Sequence, residues 1–152
     1  MKIVSCNLNG IRSAHRKGFF DWYKNQRADI LCIQELKAQE DQIEVSSMFS
    51  KNIHSYFKCA EKKGYSGVSI HSKKEPDKVI YDYGDKEFDN EGRYIEAKFG
   101  DLSVISLYAP SGSSGEHRQE AKFRFMKSFY KHLSKILKSK RKYIICGDWN
   151  IA

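Results

Sequence analysis

Five polar side chains stand where short apolar runs give out, and their chemistry is of one kind. Asn7 follows "KIVSC", Glu35 follows "DILCIQ", Tyr108 closes "SVISLY", and Asp148 and Asn150 follow "YIICG". Carboxylate and amide oxygens with no histidine or thiolate among them describe a hard-cation site. Mg²⁺ or Mn²⁺ fits that donor set and Zn²⁺ does not. Mg²⁺ keeps several waters and needs only one or two carboxylates plus a substrate phosphate, so a sparse set is no objection. Each residue also has an ordinary structural role. A glutamate after a strand can serve the positive end of a helix dipole, an aspartate after glycine a turn. Asn7 and Asn9 can be turn formers before Gly10, and Tyr108 a half-buried strand aromatic. Their joint occurrence favours a site.

For these side chains to meet, the runs before them must be strands that end at a common edge, where α/β folds hold their ligands. "KIVSC", "DILCI", "GVSIHS" and "YIIC" read as strands, and Ile144-Ile145-Cys146 as one buried on both faces. "GRYIEAKFGDLSVISLYAP" predicts a hairpin turning at Gly100-Asp101, and "SGSSG" a loop after it. Ser13 is the expected N-cap of a helix through "AHRKGFFDWYKNQ" that buries Phe19, Trp22 and Tyr23. "AQEDQIEVSSMF" also reads as helical. A long helix is expected from about Glu116 to Lys140, with Met126, Phe129, Tyr130, Leu133, Ile136 and Leu137 at three- and four-residue steps. Its basic end, "KSKRK", suits the negative end of a helix dipole as well as it suits DNA, and the solvated face is the preferred reading. Isolated βα-type runs beside an antiparallel hairpin make the class α/β with a mixed sheet.

The 152 residues match one domain, and 40% hydrophobic with 30% charged residues is a globular balance. No repeat, low-complexity segment or linker divides the chain. No apolar run approaches the ~20 residues that cross a bilayer, so no membrane role is expected, and no secretory signal opens the chain. Four scattered cysteines without CxxC spacing read as free thiols of a reducing, cytoplasmic compartment. Lys plus Arg number 27 against 19 Asp plus Glu, a net +8 that favours a polyanionic partner, nucleic acid first.

The segments "SCNLNGIRSA", "ILCIQELK", "KGYSGVSI", "DNEGRYIEAKFG", "SLYAPSGSS" and "ICGDWNIA" resemble, in order and spacing, the motifs of the exonuclease III family of abasic-site (AP) endonucleases, within the exonuclease–endonuclease–phosphatase superfamily. The resemblance covers essentially the whole chain. The combination of "NLNGIR", "QELK" and "GDWNIA" is specific where each alone is weak. It implies part of a four-layered αββα sandwich, with mixed sheets flanked by helices. It also implies an Mg²⁺-dependent repair nuclease, with Mn²⁺ as a possible substitute, acting on duplex DNA at abasic sites or 3′ ends.

By the same resemblance, Glu35 matches the principal metal-binding glutamate, with Lys37 two places on. Asn7 lies at the base of the metal and phosphate site, and Tyr108 contacts the scissile phosphate. Asp148 activates or orients the attacking water, and Asn150 is its transition-state-stabilising partner. Asp148 and Asn150 also border the metal. Asn9 stands where some relatives have aspartate, and Ser111 replaces an asparagine after the proline. With Arg12, Lys37 and Arg93 these two are expected on the DNA and phosphate side, with Lys62 and Lys63 as further backbone contacts. The chemistry suits the residue types, because phosphodiester hydrolysis needs a positioned water, neutralised phosphoryl charge and help for the departing oxygen.

Members of the family continue beyond "GDWNIA" with two further aspartates and a histidine, which none of the five histidines here matches. Residues 1–152 are therefore expected to be the amino-terminal portion of one such domain, monomeric when complete, and on their own to show little nuclease activity. Two other readings remain open. Superfamily phosphatases and phosphodiesterases acting on inositol phosphates or sphingomyelin share the glutamate and the "GDxN" ending. A non-catalytic DNA-binding remnant would keep only the basic surface.

Overall fold

Strands that alternate between two apolar surroundings, not between core and water, organise the molecule. The computed structural model describes residues 1–151. The chain runs β1 (Ile3–Asn7), α1 (Ile11–Arg16), α2 (Phe19–Gln26), β2 (Ile30–Gln34), a 3₁₀ turn (Glu40–Gln42), α3 (Val45–Met48), β3 (His54–Lys58) and β4 (Val68–Ser72). It continues through β5 (Lys78–Ile80), β6 (Tyr94–Phe99), β7 (Leu102–Tyr108), α4 (Glu116–Ile136) and β8 (Lys142–Asp148). One sheet has the order β1-β2-β4-β3 and the other β5-β6-β7-β8. Each is mixed: β1 and β2 are parallel, as are β7 and β8, and the remaining pairs are antiparallel.

The period-two alternation of side chains assigns each strand's residues to two different cores. From β2, Leu31 and Ile33 join Ile11, Phe20, Tyr23 and Phe49 under α1, α2 and α3. Its Ile30 and Cys32 meet Val68, Ile70, Ile95, Ala97 and Val104 between the sheets. From β7, Ile105 and Leu107 pack on Phe125, Phe129 and Ile136 of α4. Helices, sheet, sheet and helix therefore form four layers, as the resemblance implies. Each buried phenylalanine of α4 contributes about 2 kcal/mol through burial alone.

Several elements depart from expectation. The site-bearing strands belong to two sheets, not one. The helix expected from Ser13 is two helices, because Gly18 takes a left-handed φ of 85° between them, and the first is capped at Gly10, with Ser13 inside it. The break turns Phe20 and Tyr23 inward and leaves Trp22 46% exposed. Residues 38–49 form only a 3₁₀ turn and a single helical turn. Gln39 and Gln42 close a capping box around the former, and Ile43 is extended. α4 stops at Ile136, and of its expected apolar positions Tyr130 and Leu137 are 70% and 82% exposed. β3 and β5 went unread. Apart from the buried Phe57 and the exposed Lys78 their residues are half-exposed, and they carry no continuous apolar run.

The four cysteines are free, but only Cys32 is fully buried. Among the described residues, no helix is long and apolar enough to cross a membrane.

Candidate active site

Two parallel strand pairs, one from each sheet, deliver the polar residues to the same end of the sandwich. Asn7 and Gln34 are register partners at the ends of β1 and β2, and Tyr108 and Asp148 at the ends of β7 and β8. Gly147 is required by this arrangement, because a Cβ there would lie 2.1 Å from the Leu107 carbonyl oxygen. Beneath the site the sheets are tied together by polar side chains. The buried Gln34 donates from Nε2 to Ser106 Oγ (3.0 Å), and Ser106 donates to the Ile33 carbonyl (3.1 Å).

Asn7 is the centre of the cluster. Its single Nδ2 donates to Glu35 Oε1 (2.9 Å) and to Asp148 Oδ2 (2.8 Å), joining carboxylates 28 and 141 residues away in the chain. The Asn9 backbone N–H donates to Asn7 Oδ1 (2.9 Å), which fixes the amide's orientation. Lys37 Nζ lies 3.2 Å from Glu35 Oε2 and also donates to Asn9 Oδ1. Burial pushes the Glu35 carboxyl up, but hydrogen bonds from Asn7, Lys37 and Tyr108 outweigh it and hold the group below its usual range. Tyr108 moves the other way: burial first, then the adjacent Glu35 charge, raises its phenol and keeps it protonated.

On the other wall, Asp148 Oδ1 accepts the Asn150 N–H (3.0 Å), and Asn150 Nδ2 donates to the Ala109 carbonyl (2.7 Å). Among the described residues, four of the six non-glycine residues with positive φ are here: Asn9, Glu35, Lys37 and Asn150, at 46–54°. Each such conformation costs about 1 kcal/mol or more and persists because its surroundings over-determine it. The bonds Gly10 N–H to Glu35 O (2.8 Å) and Lys37 N–H to Ser66 O (2.8 Å) do so here.

Beside Asp148 a cleft of about 680 Å³ opens, lined by Asn7, Gln34, Ser111, Lys122, Asp148 and Asn150. Ser111 is thus at the site, paired with Ser113 (2.7 Å). Arg12 is exposed on α1 and lines a separate hollow with His15 and Gln42. Lys62 and Lys63 are exposed in the loop before Ser66.

Arg93 contradicts its expected role as a DNA contact. It is 2% exposed, and each of its three guanidinium nitrogens donates inward, to Glu91 Oε2 (2.5 Å), the Tyr108 carbonyl (3.1 Å) and the Tyr65 hydroxyl (2.6 Å). Tyr65 and Arg118 were missed in the sequence. Tyr65 lies in a polar glycine-containing loop and Arg118 in a helix's first turn, where neither periodicity nor spacing marks a residue as belonging to a distant site.

The oxygens available to a hard cation are the Glu35 and Asp148 carboxylates and the amide oxygens of Asn7 and Asn150. Among the described residues no group of three His, Cys, Asp or Glu side chains is clustered, so this set is sparse in charge. Such a set suits an ion that keeps water and shares a phosphate.

Two mixed sheets packed face to face between helical layers have a counterpart in AP endonucleases. The chain superposes on the structure of an AP endonuclease from Archaeoglobus fulgidus with a TM-score of 0.87 and 30% identity, covering 100% of this chain and 58% of that one. The Endonuclease/Exonuclease/phosphatase family model matches residues 4–152, and the chain belongs to that family. Among its relatives are an exodeoxyribonuclease of Bacillus subtilis, 37% identical over 100% of this chain and 59% of the relative. Another is the DNA repair nuclease APEX1 of Danio rerio, 36% identical over 100% of this chain and 49% of the relative. The chain therefore spans about half to three-fifths of the length of these relatives. The resemblance read from "NLNGIR", "QELK" and "GDWNIA" is borne out.

Proposed function

We propose that this chain carries the metal and water side of a DNA repair nuclease that hydrolyses phosphodiesters at abasic sites or 3′ ends of duplex DNA. The observation that carries the reading is the Asn7 amide, which holds the Glu35 and Asp148 carboxylates within one hydrogen bond of a common nitrogen. Glu35, with amide oxygens nearby, would hold Mg²⁺ or Mn²⁺. When bound, that ion supplies charge neutralisation at the phosphoryl oxygens. Asp148, steadied by Asn7 and by the Asn150 backbone, is placed to orient a water and take its proton. Because both Asn7 donors face carboxylates, Asn7 acts by positioning them. Asn150, whose amide keeps a second N–H beyond the one given to Ala109, is the donor suited to a phosphoryl oxygen, and the protonated Tyr108 phenol would join it on turning from Glu35 to the phosphate. Lys37, Lys62, Ser111 and the exposed Arg12 supply contacts to the DNA backbone. The net charge of +8 and the DNA-acting relatives favour DNA over inositol phosphates or sphingomyelin.

Two measurements test this. Mn²⁺ titration should show one hard-cation site that weakens at least tenfold in Glu35→Gln. Because residues 1–152 alone are expected to show little activity, the nicking test uses a longer nuclease that contains them, and there abasic-duplex nicking should fall about 100-fold or more in Asp148→Asn, in line with loss of a group acting on the attacking water. Faster hydrolysis of inositol polyphosphate than of the duplex would defeat the DNA assignment.

A further inference from the structure

Tyr65, Arg93 and Arg118 form a cluster at the rim of the site that the reading above leaves without a role. Arg93 follows Gly92, whose backbone lies so close to the neighbouring loop that a Cβ would sit 2.7 Å from Ala60 N. Gly92 O in turn accepts from Ser66 Oγ (3.0 Å) and Gly67 N (3.0 Å), so the Tyr65 loop is fastened to the strand that presents Arg93. The Arg93 guanidinium then reaches three segments at once, through Glu91, the Tyr108 carbonyl and the Tyr65 hydroxyl. It also lies against both tyrosine rings, 5.6 Å from the Tyr65 centroid and 5.3 Å from that of Tyr108. A planar fork with fixed donor directions can do this, and a lysine ammonium cannot.

Arg118 approaches the same phenol from outside. Its Nη1 donates to the Tyr65 hydroxyl (3.0 Å), and its guanidinium lies 5.7 Å from that ring, while Lys62 Nζ lies 5.1 Å from it. Arg118 and Lys62 are exposed, whereas Arg93 is not.

We infer that Arg93 is a positioning residue, which clamps Tyr108 and Tyr65 in place, and that the phosphate-facing cation on this rim is Arg118, aimed by the Tyr65 hydroxyl. The second half of this inference rests on the nucleic-acid reading above; the first half does not.

The experiment compares Arg93→Lys, Arg93→Met, Arg118→Met and Tyr65→Phe in this chain with two readouts. The first is the slope of log Kd against log salt for a fluorescent duplex carrying an abasic analogue. Each phosphate contact contributes about 0.9 to that slope. Arg118→Met is expected to lower the slope by about that amount, and both Arg93 variants to leave it unchanged. The second readout is amide hydrogen exchange. Both Arg93 variants should exchange at least tenfold faster over residues 106–112, and lysine should give no rescue although it keeps the charge. Tyr65→Phe, which removes one oxygen and no charge, should speed exchange over residues 61–67 and, by releasing Arg118, lower the salt slope toward that of Arg118→Met.

A drop in slope for Arg93→Met, or wild-type protection in Arg93→Lys, overturns the positioning role. If Arg93→Met fails to fold, Arg93→Lys and Tyr65→Phe decide it, and unchanged exchange in both sinks the clamp. An unchanged slope in Arg118→Met overturns its half of the inference. Absence of any salt-sensitive duplex binding by the wild type refutes the nucleic-acid reading and Arg118's role with it, while the exchange data still decide Arg93.

Discussion

Asn7 shows how one neutral side chain can organise two charged ones. Placing Glu35 and Asp148 on the same nitrogen brings like charges close, a cost that the amide's two donors and the Lys37 ammonium offset. Asn7→Ala should leave the fold in place, because the residue is exposed, yet let the carboxylates drift apart. Hydrogen bonds to charged groups are worth about 1.5–3 kcal/mol each, and about 1.4 kcal/mol is tenfold in affinity. Mn²⁺ binding measured by calorimetry should therefore weaken roughly tenfold or more. Unchanged binding would mean that the amide is incidental. The same scale explains why Arg93 misled the reading of the sequence. An arginine in a basic chain reads as a phosphate contact, and nothing in "EGRY" says that its guanidinium folds inward onto two tyrosines and a glutamate.

At the scale of elements, α4 separates what periodicity tells from what it does not. Apolar residues at three- and four-residue steps marked the helix correctly, but the helix carries more of them than one face can bury. Phe125, Phe129 and Ile136 face the sheet, whereas Met126, Tyr130 and Leu137 are exposed. Substitutions should divide along the same line. Phe129→Ala is expected to cost about 3–5 kcal/mol, because it empties a close-packed position among Phe125, Tyr83 and Trp149. Tyr130→Ala is expected to cost less than about 0.5 kcal/mol. Urea unfolding of the two variants compares them directly, and equal losses would contradict the burial assignment.

Across the whole molecule, acid should be destabilising through groups in different parts of the first sheet, one within β4 and one just past the end of β2. His71 is fully buried, stacked 4.0 Å from Phe49 and bonded to Ser69 and Ser55 (2.8 Å each). Burial disfavours its charged form and pushes its pKa down to about 3. The unfolded chain therefore binds a proton that the folded chain refuses, and stability falls as the pH drops from the ordinary histidine value near 6.5 toward 3. Glu35, held below its usual range, adds a smaller loss below about pH 4.5. The urea midpoint should fall steadily below pH 6.5. His71→Gln should remove most of the slope between pH 6.5 and 4.5, leaving the smaller part owed to His132, whose pKa burial also lowers, and an undiminished slope would reassign the effect.

The sequence by itself determined six of the eight described strands (β3 and β5 excepted), the α/β class, the family, and the residues that end the site-bearing strands. All of these depend on local composition and on the order of short motifs. It also marked Glu35 and Asp148 as candidates, since a carboxylate just past a buried strand is visible in one dimension. Only the tertiary structure decided that the four strand ends come from two sheets, that Glu35 and Asp148 meet at one amide, that Arg93 points inward, and that Tyr65 joins it to Arg118. Those outcomes depend on contacts between residues up to 141 positions apart. Such contacts are set by how two sheets pack and by where a few backbone residues take positive φ, which no local pattern of apolar and polar residues specifies.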